Sequence, residues 1–143
     1  SPTTFEGWAK RDVRTAYHQI FGDAGSNSAG SLRVDQNSQQ VTMNVTTGTP
    51  TWAGAWPRNG EWVHWVLVTD EANDMAALFL NGVSKGVVYT SWSFGSGSGF
   101  QLGNRQDGGT PFDGKQSQVA IYPSLLSAKT IMANYLIGCG VFA

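Results

Sequence analysis

The sequence of 143 residues contains little charge. Only 13% of its residues are Asp, Glu, Lys or Arg, whereas about 25% is usual for a globular domain. The nine basic and ten acidic residues are scattered along the chain and give a formal net charge of -1. A protein that binds nucleic acid or an anionic membrane surface carries a basic patch. We therefore expect neither partner.

Cysteine and long apolar runs are also scarce. Cys139 stands alone, which excludes an internal disulfide and a cysteine-based metal site. No apolar run approaches the roughly 20 residues of a membrane-spanning helix, and the N-terminal SPTTFEG lacks the features of a signal peptide. We expect no membrane insertion. Residues 1–143 suffice for a single domain with its own core, and the missing initiator Met leads us to expect the C-terminal part of a longer protein.

The sequence does contain several β-strand patterns. The run EWVHWVLVTD, from Glu61 to Asp70, is apolar on both of its alternating faces, which is typical of a central strand covered on each side. The following run, MAALFLNGVSKGVVY, holds two β-like segments around Asn81-Gly82. This dipeptide tolerates the positive φ angles of a type I′ turn, so we predict a β-hairpin there.

Shorter strands are predicted between turns rich in Gly, Ser, Asn and Pro. They run from Thr4 to Lys10, Tyr17 to Phe21, Ser31 to Asp35, Gln40 to Thr46, Gly99 to Leu102 and Lys115 to Tyr122. Ser127 is expected to cap a helix that has Ile131 and Tyr135 on its apolar stripe and ends at Gly138. The sequence therefore predicts an all-β fold, a two-sheet antiparallel β-sandwich with one short C-terminal helix.

Five segments follow one another in a specific order. They are FEGWAK, Trp62-Val63-His64, LFLNG, Leu102-Gly103-Asn104 and FDGKQSQVAIYPSLLSAKTIMANY. This order resembles the laminin-G-like, concanavalin-type jelly-roll family, whose members carry a Trp-containing early strand, a W-x-H strand, a strand ending in Asn-Gly, a Leu-Gly-Asn segment and a final strand leading into a small helix. The resemblance spans nearly the whole chain and implies a concanavalin-like jelly roll.

Two departures from the family pattern matter. Members often have an Ile-Asp-Glu-like stretch before the final Val, whereas this chain has Gln116-Ser117-Gln118, so no carboxylate role is carried over to that strand. Members also usually begin with a strand that precedes the Trp8 strand, and only Ser1 to Thr3 come before it here. We expect an upstream segment or a neighbouring chain to supply that strand by β-augmentation.

Catalysis is not expected from the sequence. Glucanases related to the family use an E-x-D-x-x-E arrangement, because retaining glycoside hydrolysis needs two carboxyl groups about 5 to 5.5 Å apart. The sequence has no such motif, and we interpret Asp70 to Asp74 as a polar turn. His64 alternates with Trp62 and Val66 and matches the family's structural His, so we interpret it as a hydrogen-bonded core residue rather than a catalytic base.

Loop aromatics are the first candidates for ligand binding. Trp52, Trp56 and Trp92 lie in segments rich in Pro, Gly or Ser. An aromatic ring on a loop offers a flat apolar face on which the C–H face of a sugar can stack. The alternative is that these rings fold over the core, as most large aromatic side chains do.

Polar loop residues are the second set of candidates. Asn104, Arg105 and Asp107 carry groups that can hydrogen-bond sugar hydroxyls, and the alternative is an ordinary solvated turn. Calcium would need several converging carboxylates, for which Asp23, Asp107 and Asp113 are the candidates. No EF-hand-like spacing supports them, so we expect no resident cofactor.

Three functional interpretations remain open at this point. The closing segment resembles phage tail and capsid-surface domains, which implies an adhesion or decoration module of a virion with protein neighbours and host-surface glycans as partners. The second interpretation is a carbohydrate-binding module of a secreted bacterial glycosidase or adhesin. The third is a purely structural domain whose contacts are with proteins. The polar, weakly charged composition favours a virion or an extracellular surface as the location.

Overall fold

The computed structural model describes residues 2–12, 17–23, 30–35, 37–57, 59–94, 99–104, 109 and 111–142. Two antiparallel sheets form a sandwich, and a helix packs on the outer face of one of them. The strands are β1 (Thr3–Arg11), β2 (Tyr17–Asp23), β3 (Ser31–Asp35), β4 (Val41–Asn44), β5 (Thr51–Trp52), β6 (Trp62–Asp70), β7 (Met75–Leu80), β8 (Val83–Tyr89), β9 (Phe100–Leu102) and β10 (Gly114–Tyr122). The helix is α1 (Ala128–Phe142), and a 3-10 turn spans Glu71–Asn73.

The strand order confirms the predicted sandwich. Sheet 1 has the order β10-β1-β6-β7-β8, and sheet 2 has the order β5-β4-β3-β2-β9. The strand predicted to be central, β6, is the middle strand of sheet 1. The predicted strands all form, with ends that differ by up to two residues, and β5 is an additional short strand. No helix in the described ranges has both the length and the hydropathy needed to cross a membrane.

The core explains why both faces of β6 are apolar. Trp65 and Leu67 point between the sheets and belong to the main hydrophobic cluster. Val66 and Val68 point to the outer face of sheet 1, where they pack with Ile131 of α1. One face of β6 is therefore covered by sheet 2 and the other by the helix.

The turn between β7 and β8 forms where it was predicted. Asn81 and Gly82 have φ angles of 51° and 76°, as a type I′ turn requires. Asn81 Oδ1 accepts a hydrogen bond of 3.0 Å from the backbone N–H of His64, which fixes the turn to β6. A Cβ atom on Gly82 would lie 2.8 Å from Met132 Sδ, so glycine also allows the helix to approach the turn.

The helix begins as predicted but ends later. Ser127 Oγ accepts a hydrogen bond of 3.1 Å from the backbone N–H of Thr130, which confirms the predicted cap. The predicted end at Gly138 is wrong, because α1 continues to Phe142. A Cβ atom on Gly138 would lie 2.3 Å from Trp8 Cζ2. Glycine at this position allows close packing of the helix on the sheet and does not terminate it.

Candidate functional site

The loop tryptophans lie inside the protein. Trp52, Trp56 and Trp92 are each at most 5% exposed and belong to the cluster between the sheets. Trp52 also donates its indole N–H to the carbonyl oxygen of Gly86 at 3.1 Å, which ties β5 at the edge of sheet 2 to β8 at the edge of sheet 1. A ring enclosed in this way offers no face to a sugar. The alternative, that these segments fold over the core, describes all three residues.

The described part of the chain contains three of the five polar candidates. Arg105 and Asp107 lie outside the described residues, and Asn104 is half-buried. Asp23 is half-buried and accepts a hydrogen bond of 3.4 Å from a backbone N–H, whereas Asp113 is exposed. Within the described ranges, no three His, Cys, Asp or Glu side chains form a group that could hold a metal ion.

Two pockets lie between α1 and the outer face of sheet 1, and Trp8 lines both of them. The larger one has a volume of about 430 Å³ and is named the aromatic pocket; it is lined by Trp8, Lys10, Glu61, Trp62, Asn81, Tyr135 and Phe142. The smaller one has a volume of about 270 Å³ and is named the polar pocket; it is lined by Glu6, Trp8, Gln118, Tyr122, Asn134, Ile137 and Gly138. Together the two pockets form the helix cleft.

Strand alternation assembles the floor of the helix cleft. Glu6, Trp8 and Lys10 lie on one face of β1, because side chains two residues apart share a face. The register pairs Trp8 with His64 and Lys10 with Trp62, so β1 and β6 contribute neighbouring side chains. The opposite wall comes from one face of α1, through Asn134, Tyr135, Gly138 and Phe142.

Four aromatic rings form a wall in the aromatic pocket. The ring centroid of Trp8 lies 4.8 Å from that of Phe142 and 5.9 Å from that of Tyr135. The centroid of Trp62 lies 4.7 Å from that of Phe142. Trp8 is buried, but the other three residues are only half-buried. These rings hold the helix on the sheet and leave part of their surface facing the pocket.

Three polar side chains surround this aromatic wall. Lys10 is half-buried and Glu61 is exposed, and neither has an ion-pair partner among the residues the structure describes. Asn81 uses its Oδ1 to accept the hydrogen bond from His64, while the same described residues give its amide N–H groups no acceptor. The aromatic pocket therefore has a donor, an acceptor and an amide available for a ligand.

The polar pocket is organised around the buried carboxylate of Glu6. His64 Nε2 lies 2.7 Å from Glu6 Oε1, and Asn134 Nδ2 donates to Glu6 Oε2 at 3.2 Å. Burial alone would raise the pKa of Glu6, but hydrogen bonds from its neighbours and attraction to His64 outweigh burial and hold the pKa below its ordinary value of 4.5. The hydrogen bond to Glu6 raises the pKa of Tyr122 above 10.0. At neutral pH the Glu6 carboxylate is ionised and only accepts, so His64 Nε2 donates.

His64 has the structural role that the sequence predicted. It is buried and hydrogen-bonded, and the ring centroids of Trp8 and Tyr135 lie 5.2 Å and 6.0 Å from that of its own ring. Sequence reasoning did not identify Glu6 as its partner. The spacing in FEGWAK indicates this partner, because Glu6 precedes Trp8 by two residues and therefore lies on the same face of the strand.

The described residues give each pocket a single carboxylate. Glu61 lines the aromatic pocket and Glu6 lines the polar pocket, where it is engaged by His64. Glycoside hydrolysis normally uses two carboxyl groups that flank one glycosidic bond. The arrangement is suited to holding a ligand by ring stacking and hydrogen bonds.

Fold and cleft together define a sandwich of the lectin class, with a surface pocket beside a short helix. Residues 1–132 match the family described as the concanavalin A-like lectin/glucanases superfamily. The chain belongs to this family, which confirms the resemblance seen in its sequence. Comparison with curated proteins gives no match.

Solved structures show the same fold. The CBM40 module of the Ruminococcus gnavus IT-sialidase has a TM-score of 0.72 at 20% identity, over 94% of this chain and 82% of that one. A SAP-like pentraxin from Limulus polyphemus has a TM-score of 0.73 at 18% identity, over 92% and 68% of the two chains. A candidate carbohydrate-binding protein from Bacteroides ovatus has a TM-score of 0.73 at 17% identity, over 92% of this chain and 40% of that chain. The chain therefore spans less than half the length of the Bacteroides protein.

Proposed function

We propose that this chain is a non-catalytic module that binds carbohydrate in the helix cleft. The aromatic pocket carries the proposal, because the half-buried rings of Trp62 and Phe142 stand next to Lys10 and Glu61, which form no ion pair with any residue that the structure describes. A sugar ring has a C–H face and a rim of hydroxyl groups, so it needs an apolar surface and hydrogen-bonding groups side by side. The aromatic pocket offers this combination.

The size and charge of the pocket point to a class of sugar. Its volume of about 430 Å³ lies within the range of about 300 to 1,000 Å³ that is typical of small-molecule sites. Lys10 and Glu61 provide one charge of each sign, so this pair gives no preference for an anion, and we infer a neutral sugar residue. At about 0.3 kcal/mol per non-hydrogen atom, a monosaccharide of about a dozen such atoms binds with a Kd near 1 mM.

The ligands of similar structures support carbohydrate as the ligand class. The Ruminococcus gnavus module is bound to α2,3 sialyllactose in one structure and to α2,6 sialyllactose in another. Cell entry of botulinum neurotoxin type C depends on interaction with two ganglioside molecules, and its structure has a TM-score of 0.65 with this chain. These sugars are ligands of those proteins, and the shared fold supports the class rather than a particular glycan.

The location and setting are part of the same proposal. We place the module on an exterior surface, as an adhesion or decoration domain of a virion, with a module of a secreted bacterial glycosidase or adhesin as the alternative. The low content of charged residues, 13%, supports an exterior location. The resemblance of the closing segment to phage tail and capsid-surface domains supports the virion over the alternative.

A glycan array followed by titration calorimetry tests the proposed site. Trp62→Ala should weaken binding by about tenfold, because it removes a stacking surface worth about 1 kcal/mol or more. Lys10→Met removes a hydrogen-bonding group and leaves the aromatic wall in place, so it separates lost binding from lost folding. The matched control is Tyr17→Ala, an exposed residue that stacks on Arg33 at the outer face of sheet 2 and should leave the affinity unchanged.

Two results would contradict the proposal. Absence of binding to every glycan at millimolar concentration would leave the purely structural interpretation. If Tyr17→Ala abolished binding and both helix-cleft variants retained it, carbohydrate binding would stand but the site would lie on sheet 2.

A further inference from the structure

A β-bulge in β10 directs Gln118 to the outer face of sheet 1. The register between β1 and β10 shifts by one residue opposite the segment from Glu6 to Trp8. The side chain of Gln116 points to sheet 2, where its amide donates to a carbonyl oxygen of β2 at 2.9 Å. Strict alternation would place Gln118 on that same inner face. The extra residue of the bulge instead lets Gln118 line the polar pocket.

Gln118 adopts an unfavourable backbone conformation at this position. Its φ angle of 51° lies in the left-handed region, which disfavours a residue with a Cβ atom. Strain of this kind persists where the surrounding structure imposes it, and it is concentrated at functional sites. The side chain is exposed, and the described residues give its amide no hydrogen-bond partner. The bulge therefore presents a donor and an acceptor to the polar pocket.

The polar pocket carries negative charge. The carboxylate of Glu6 is ionised at neutral pH, and 8% of its side chain remains exposed. No Lys, Arg or His is among the described residues that line this pocket. In the aromatic pocket, by contrast, Lys10 stands beside Glu61. A partly buried carboxylate that no lining cation offsets repels an anionic group and attracts a cationic one.

Three acceptor groups line the polar pocket. An ionised carboxylate has roughly four acceptor positions, and His64, Asn134 and Tyr122 donate to that of Glu6, so it can accept from a further donor. Asn134 donates through Nδ2, and the described residues give its Oδ1 no donor. The same holds for Oε1 of Gln118. An ammonium group carries three N–H donors, one for each of these acceptors.

We propose that the polar pocket binds the protonated amine of an amino sugar. Glu6 supplies the opposite charge, and the side-chain oxygens of Asn134 and Gln118 accept the other N–H groups. The amide N–H groups of Gln118 then donate to a hydroxyl group on the neighbouring sugar carbon. This inference rests on the proposed carbohydrate binding in the helix cleft. It names the sugar class for the polar pocket, whereas the neutral sugar belongs to the aromatic pocket.

Titration calorimetry with three β1,4-linked disaccharides tests the preference for an amine. They are built from glucosamine, N-acetylglucosamine or glucose, and differ only in whether one ring carbon carries an amine, an acetamide or a hydroxyl group. The glucosamine disaccharide should bind at least about tenfold more tightly than the glucose disaccharide, because opposite charges in a partly buried pocket are only weakly screened. The N-acetylglucosamine disaccharide has no charge and should not show this gain.

Two variants assign the preference to the polar pocket. Glu6→Gln removes the charge and keeps the shape, so it should weaken binding of the glucosamine disaccharide to about the level of the glucose disaccharide. Gln118→Lys places a cation in the pocket from an exposed position, so it should make the glucosamine disaccharide the weaker ligand. This second variant tests the same charge without altering the buried carboxylate, and circular dichroism confirms folding of both variants.

Asp74→Asn is the matched control for the change in charge. Asp74 is exposed and lines neither pocket. Its φ angle of 53° is left-handed, and asparagine tolerates that conformation. The variant loses one negative charge, as Glu6→Gln does, and should keep the preference of the wild type for the glucosamine disaccharide.

The inference and the proposed function fail in different ways. Equal affinity of the wild type for the glucosamine and glucose disaccharides would overturn the inference and leave carbohydrate binding in place. An equal gain with the N-acetylglucosamine disaccharide would also overturn it, because an N–H group rather than a charge would then be recognised. So would a preference that survives in both Glu6→Gln and Gln118→Lys. Failure of every sugar to bind would contradict the proposed function and the inference together.

Discussion

Gly138 and Gly140 form a matched pair that measures how closely α1 packs on sheet 1. Both lie within the same helix, two residues apart. Replacing a helical glycine by alanine normally stabilises a protein by about 0.4 to 1 kcal/mol, because the unfolded chain loses conformational freedom. Gly140→Ala should show this gain, since a Cβ atom there meets no other atom within 4 Å.

Gly138→Ala should have the opposite sign. Its Cβ atom would lie 2.3 Å from Cζ2 and 2.5 Å from Nε1 of Trp8, so the ring or the helix must move. The Trp8 ring is enclosed between the sheet and the rings of Tyr135 and Phe142, which leaves it little room to yield. Overpacking of this kind costs about 1 to 3 kcal/mol. After the helical gain is subtracted, we expect a net loss of about 0.5 to 2 kcal/mol.

Thermal and urea unfolding of dilute protein, followed by far-ultraviolet circular dichroism, measures both effects. For a domain of this size 1 kcal/mol corresponds to roughly 3 to 4 °C in Tm. The two variants should therefore differ by about 3 to 10 °C, with the wild type between them. If Gly138→Ala stabilised the protein as much as Gly140→Ala does, the close packing of α1 on Trp8 would be refuted.

Three further perturbations follow from contacts around the cleft and the sheet edges. The folded-state pKa of Glu6 is lowered, so its contribution to stability should be present above about pH 4.5 and lost as pH falls further. Urea unfolding curves at decreasing pH should show this loss of stability. In the Glu6→Gln variant the loss of stability with falling pH should be smaller. Asn81→Ala should lower the free energy of unfolding by about 1 to 3 kcal/mol, because it removes the acceptor for the His64 N–H, whereas Asn81→Asp keeps that oxygen and should retain most of the stability. Trp52→Phe should cost about 1 to 3 kcal/mol through the lost hydrogen bond to Gly86 and the smaller ring, and amide exchange should accelerate in β8; unchanged exchange would argue against this tie between the sheets.

Most of the sandwich was predictable because its strands carry local patterns. The double apolar face of β6 and the Asn81-Gly82 turn each indicate a single structure, and both are present. The end of the helix was not predictable in the same way. Glycine is a common stop for a helix, but Gly138 is required by the ring of Trp8, which is distant in sequence. A tertiary contact therefore explains this glycine, and the local tendency of glycine to end a helix does not.

The candidate site was harder to predict than the fold. Trp52 and Trp56 lie in a turn-rich segment, which indicates exposure, yet the core encloses both rings. The helix cleft joins residues from β1, β6 and α1, and these meet only through the register that pairs Trp8 with His64 and the docking of the helix above them. A single sequence indicates each strand but does not determine which side chains of different strands become neighbours.

Chemical-shift mapping during titration with neutral oligosaccharides tests the central claim most directly. The indole N–H of Trp62, the backbone of Lys10 and the side-chain amide of Asn81 should shift together and saturate with a common Kd near 1 mM, as estimated from the size of a monosaccharide. Resonances on the outer face of sheet 2, such as Thr42, should stay in place. Saturable shifts confined to sheet 2, with the helix cleft unperturbed, would contradict the assignment of the binding site.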